Sequence, residues 1–82
     1  MEQKAIESIE PALKELKEDA NVPKNVKLKI EKVIRILKKN SEITIRVSKA
    51  LNELEEVADD VNLESYTRAQ VWNVISALEK VK

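Results

Sequence analysis

The chain contains no cysteine, no histidine and no glycine. Without cysteine and histidine there is no disulfide, no structural zinc of the usual kinds, no thiol nucleophile and no imidazole base. The serines Ser8, Ser41, Ser48, Ser65 and Ser76 therefore lack the partner that would activate a hydroxyl. Without glycine there is no phosphate-cradling loop. No helix can end on a left-handed glycine either, so Asn, Asp or Ser is expected to cap the helices. Proline occurs only at positions 11 and 23, and the only aromatics are Tyr66 and Trp72. No apolar run approaches the roughly 20 residues of a membrane span. The opening Met1-Glu2-Gln3-Lys4 has no basic stretch followed by an apolar one, so no signal peptide is expected. These absences point to a cytoplasmic, non-enzymatic protein that needs no cofactor or metal.

The chain does contain the same helix-loop-helix written twice. Ala12, Leu13, Glu15, Leu16, Glu18 and Ala20 recur as Ala50, Leu51, Glu53, Leu54, Glu56 and Ala58. Further on, Asn21, Val33, Ile34, Leu37 and Lys39 recur as Asn62, Val74, Ile75, Leu78 and Lys80. The spacing between copies grows from 38 residues (13 to 51) to 41 (34 to 75), which places three extra residues in the second copy's loop. Two similar helical hairpins, each needing the other to bury its apolar face, are the expected result.

Apolar residues at helical spacing locate the helices. Ile6, Ile9, Leu13 and Leu16 stripe a first helix from about Glu2 to Asp19, with a kink expected at Pro11. Asn21 is the expected cap of a second helix that has Pro23 in its first turn, runs to about Lys39, and turns Val26, Ile30, Val33, Ile34 and Leu37 inward. Ser41 is the expected cap of a third, burying Ile43, Val47, Ala50, Leu51, Leu54 and Ala58. A fourth, from about Glu64 to Val81, turns Val71, Ile75 and Leu78 inward. Three short connections predict an all-α, antiparallel four-helix bundle. It forms a single domain over 1–82, with one hairpin at about 2–39 and the other at about 41–82. Two stacked HEAT-like hairpins are the alternative.

The net charge is zero, but the charges are segregated. From Lys24 to Lys39 seven cations face one anion, Glu31, a net of +6. From Glu53 to Glu64 there are six anions and no cation, a net of −6. Lys24, Lys27, Lys32 and Arg35 are candidates for gripping the phosphates of RNA, although no aromatic lies among them to stack a base. A solvated face paired with acidic neighbours is the plainer explanation. Asp60-x-Asn62-x-Glu64 begins like a calcium loop. That loop needs glycine at its sixth position and a bidentate Glu at its twelfth, and Ser65 and Val71 stand there. Glu53 and Glu56, one turn apart, make at most a weak magnesium site.

Trp72 lies beside the fourth helix's core stripe and widens its apolar arc. A single Trp in a small bundle is commonly core. The sharper reading is that Trp72, Asn73, Arg68 and Tyr66 reach a second surface, because Trp, Tyr and Arg dominate binding hot spots. That surface would take a protein partner, a second copy of the chain included.

Several stretches resemble one family. They are Asn21-Val22-Pro23-Lys24-Asn25-Val26-Lys27, Ile45-Arg46-Val47-Ser48, Thr67-Arg68, and Val71-Trp72-Asn73-Val74-Ile75-Ser76-Ala77-Leu78-Glu79. Together they are similar to a small archaeal family, the uncharacterised protein family numbered zero-one-four-seven. The resemblance covers nearly the whole chain in the same order. It implies a four-helix bundle from an archaeon, with no assigned activity or cofactor. It also implies a second proline where this chain has Glu64, so the fourth helix here is expected to start less sharply. Lys24, Asn25, Arg46, Ser48, Thr67, Arg68 and Asn73 match the family's polar positions, where capping or bridging helices is the plainest role.

Charged residues make up 37% of the chain, mostly Lys and Glu. This fits the surface ion-pair networks of thermophiles, although helix-rich mesophile proteins look similar. A thermophilic source predicts a melting midpoint above the roughly 45–65 °C of mesophile domains. A calorimetric midpoint near about 50 °C would overturn it.

Overall fold

The structure, a computed structural model, describes residues 2–81. It contains four helices: α1 (Glu2–Glu18), α2 (Lys24–Lys38), α3 (Ile43–Ala58) and α4 (Ser65–Glu79). No strand occurs among the described residues. Each helix packs against the next in sequence, and α1 also packs against α4.

One apolar core runs through all four helices. The α1 stripe Ile6, Ile9, Leu13 and Leu16 is buried, and so are Val26, Ile30, Val33, Ile34 and Leu37 of α2. α3 contributes Val57 besides the residues its periodicity marks, while Ile43 is only partly buried. α4 contributes Val71, Val74, Ile75 and Leu78, together with Thr67, which at 2% exposure is the one buried polar residue among the described residues. Helix α1 passes through Pro11, which is exposed. A proline ring on the solvent side leaves the buried stripe intact.

The two copies differ in a way their spacing alone does not reveal. α1 ends at Glu18, whose counterpart is Glu56, yet α3 continues to Ala58. The connections cover 19–23 and 59–64. Two of the three additional residues therefore lengthen α3, and one lengthens the connection. Both connections fold alike. The Asn21 backbone N–H donates to Asp19 Oδ1, and the Asn62 N–H to Asp60 Oδ1, each at 2.9 Å. One residue on, Val22 N–H donates to Asp19 O and Leu63 N–H to Asp60 O, each at 3.1 Å. Val22 and Leu63 then turn inward and are buried. Asp60-x-Asn62 is thus a turn closed by its own aspartate.

The expected caps are corrected. The residues preceding α2, α3 and α4 are Pro23, Glu42 and Glu64, and none makes a side-chain cap bond. Asn21 is held in the Asp19 turn, and Ser41 lies one residue too early for α3. At their C-termini, too, the helices end without a left-handed residue; no described residue has positive φ. Arginine closes these ends instead. Arg46, the fourth residue of α3, donates from Nη1 to Leu37 O of α2 at 2.8 Å. Arg68, the fourth residue of α4, donates from Nε to Ala58 O at 3.0 Å and from Nη2 to Asp60 O at 2.7 Å. The final carbonyls of a helix lack partners within it, and the guanidinium of the next helix supplies them.

Arg68→Ala is expected to cost about 1.5–3 kcal/mol in urea unfolding, the range for hydrogen bonds from a charged donor. Arg68→Lys should recover only part of this, because one ammonium lacks the planar fork that reaches two carbonyls. Full recovery by Lys would reduce the bridge to a simple charge effect.

Candidate protein-interaction face

Arg68 is the only charged residue in α4 before Glu79. The buried stripe takes one side of the helix. Ser65, Tyr66, Ala69, Trp72, Asn73 and Ser76 remain exposed on the other. Trp72 is 47% exposed and Tyr66 71% exposed, so neither is a core aromatic. Six residues apart at 3.6 per turn, they sit roughly a third of a turn from each other around the axis. Trp72 shares its side with Ala69 and Ser76, whereas Tyr66 aligns with Asn73. Arg68 is half-buried and held by its carbonyls. Of the four candidate binding residues, Trp72, Asn73 and Tyr66 are thus exposed, and Arg68 is engaged within the chain.

Asn73 also lines a groove of about 320 Å³ between α1 and α4, together with Ser8, Ile9, Ala12, Glu15, Leu16, Gln70, Val74 and Ala77. The lining is largely apolar. Its Gln70 Oε1 is buried with no hydrogen-bond partner. Buried polar atoms are rarely left so, and a donor brought by another molecule would satisfy this one. The periodic stripe Val71, Ile75 and Leu78 leaves out Val74 and Ala77. Gln70 carried no signal, because its role depends on how α1 lies beside it.

The segregated charges meet across α2 and α3. Asn25 Nδ2 donates to Asp60 Oδ2 at 3.2 Å. Lys29 Nζ pairs with Glu56 and lies 3.6 Å from Glu53. Lys32 Nζ lies 3.5 Å from Glu53. The pairs step along α2 by four and then three residues, and back along α3 by the same amounts. Glu53 and Glu56 are therefore partners of lysines. Of the four candidate phosphate-gripping residues, Lys32 is in this seam and Arg35 is 4.0 Å from Glu31. Lys24 is exposed and Lys27 half-buried, and the two have no ion pair within 4.0 Å among the described residues.

Comparison with known proteins agrees with this geometry. The model of the uncharacterised protein family UPF0147 matches residues 1–81. A UPF0147 protein of Methanocaldococcus jannaschii is 37% identical over 71 residues, covering 85% of this chain and 76% of that protein. One from Thermococcus kodakarensis is 37% identical over 79 residues, covering 94% and 95%. The crystal structure of unknown function protein MMP1188 superposes with a TM-score of 0.89 at 29% identity, covering 95% of this chain and 90% of that one.

The seam also sets a pH dependence. The hydrogen bond from Lys29, aided by its charge, holds the Glu56 carboxyl below its ordinary 4.5. The same bond raises Lys29 above its ordinary 10.5, against some desolvation and with help from Glu53. A depressed carboxylate stabilises the fold above its unfolded pKa, and a raised lysine does so below its own. The pair's contribution is thus complete between about pH 4.5 and 10.5, and is lost as pH falls below or rises above that window. Urea midpoints of the parent chain and Glu56→Gln should differ most inside the window and converge outside it. A gap that does not change with pH would show that the pair contributes nothing.

Proposed function

This chain belongs to the uncharacterised protein family UPF0147, and we propose that it is a non-enzymatic protein-interaction module working through the exposed face of α4. One observation carries the reading. In a chain that is 37% charged, the exposed side of α4 presents Trp72, Tyr66, Ala69, Asn73 and Ser76, and no charge before Glu79. Charge is depleted and aromatics are enriched at the centres of protein interfaces, and a large exposed Trp on a rigid helix is a typical anchor. The adjoining α1–α4 groove, with its buried Gln70 acceptor, offers a recess for a partner's side chain. A second copy of the chain is one such partner.

The proposed scaffold beneath this face is an antiparallel four-helix bundle of two similar hairpins. The α2–α3 pairs support it, since they ascend one helix while descending the other. So do the connections of four to six residues, which favour antiparallel neighbours. The overall extents of 33 × 19 × 18 Å also suit helices set two by two at about 8–10 Å.

An RNA- or ribosome-associated protein using 24–39 is the second reading. It has less support, because Lys29 and Lys32 are occupied by Glu53 and Glu56. Pull-down from native archaeal lysate, with and without nuclease, compares the two. Trp72→Ala with Tyr66→Ala should lose nuclease-resistant partners while the fold is kept. Replacing Lys24, Lys27, Lys32 and Arg35 with Gln should retain them. The reverse pattern would move the function to helix α2.

A further inference from the structure

The exposed arc of α4 and the groove beside it form one continuous surface. Around the helix axis the arc runs from Trp72 through Ser76, Ala69, Asn73 and Ala77 to Gln70, about 160° of α4 without a charge. Arg68 and Glu79 lie beyond Trp72, on its other flank. Asn73, Ala77 and Gln70 belong both to the arc and to the wall of the 320 Å³ groove. On the opposite wall Ala12 of α1 is exposed. Glu15 is the one charge in the lining, and it is exposed, so it keeps its water.

This surface holds an anchor and a recess that do not meet within one chain. Trp72 is 47% exposed and is not part of the groove lining. It lies roughly 100–160° around the axis from Asn73, Ala77 and Gln70, so it leaves its own chain's groove unfilled. The two nevertheless match chemically. An indole N–H is a donor only, and it usually finds an acceptor when buried. The groove holds Gln70 Oε1, a buried acceptor with no hydrogen bond.

We infer that the occupant of this face is a second copy of the chain, related by a two-fold axis, with each Trp72 seated in the other copy's α1–α4 groove. The inference rests on the reading of α4 as an interaction face and names its partner. A two-fold contact turns a surface on itself, so one patch must supply both the projecting group and the recess. A foreign chain would need only one of them, and this face carries both. The same symmetry brings like charges together, at a cost, and the α4 arc has none to bring. The area also suffices. One long side of a body of 33 × 19 × 18 Å with 5264 Å² of surface is roughly a fifth of the total, more than the ~800 Å² that each partner buries in a standard interface.

Sedimentation equilibrium of the full chain from roughly 1 μM to 1 mM tests this, with Trp72 as the optical reporter because it is the only tryptophan. The parent chain should pass to twice its mass within this range. Its tryptophan emission should shift to the blue along the same curve, as the indole leaves water. Trp72→Ala removes both anchors at once and should weaken the dimer at least about 100-fold. Ala12→Lys, on the α1 wall, should weaken it comparably by obstructing the groove. Leu28→Ala trims another exposed apolar residue, 57% exposed on α2, and should leave the association unchanged. Unchanged circular dichroism of the variants separates these results from misfolding. A parent chain that stays monomeric throughout overturns the inference. So does a dimer that forms without the blue shift, ignores Ala12→Lys, or weakens equally with Leu28→Ala. The wider reading fails separately. If a monomeric parent loses its nuclease-resistant partners on Trp72→Ala with Tyr66→Ala, the face stands and takes a foreign chain. If it keeps them, face and second copy fall together.

Discussion

The structure depends on closing helix ends without a left-handed residue. Glycine is absent, and every described φ is negative, so the usual way of turning a helix's last carbonyls back on itself is missing. Guanidinium groups replace it. Arg46 and Arg68 each stand one turn into a helix and reach back to the end of the helix before. Because each bridge ties two helices as well as ending one, the Leu37 and Ala58 carbonyls gain their arginine partners only when the next helix has docked. Local structure and tertiary packing then form together, which favours a cooperative fold over independently stable helices.

This coupling explains what could be read from the residues and what could not. Burial follows from 3.6-residue periodicity, and Val26, Ile30, Val33, Ile34 and Leu37 are buried because that arithmetic belongs to one helix alone. The helix starts were misread for the opposite reason. Asn21 and Ser41 satisfy local capping preference, but the Asp19 side chain claims Asn21's N–H and α3 begins one residue past the site Ser41 would cap. A guanidinium reaching eight to ten residues back leaves no mark in a local pattern. Arg46 and Arg68 were visible as polar positions, yet their bridging needs three-dimensional register. The charge segregation was equally plain as composition. That Lys29 meets Glu56 while Lys32 meets Glu53 is a property of the helix pair.

The seam and the α4 face divide the work of the surface. Exposed ion pairs contribute little singly, and three linked contacts along α2 and α3 serve chiefly to fix register, since slipping one helix by a turn would bring Lys32 opposite Lys49. Register matters because it decides which charges are matched.

Helix α4 departs from its neighbours in the opposite sense. α2 has cations at six of its fifteen positions, and lysine at exposed sites is a standard protection against association. α4 lacks this protection on the side where Trp72 and Tyr66 are exposed. Its only cation, Arg68, is bound to the end of α3. Losing solubilising charge has a cost in aggregation, and the cost is greatest beside an exposed indole. With charge plentiful elsewhere in the chain, its absence here is best explained by contact. On the proposed reading a partner covers this face, and charges on it would have to be desolvated each time that partner docked.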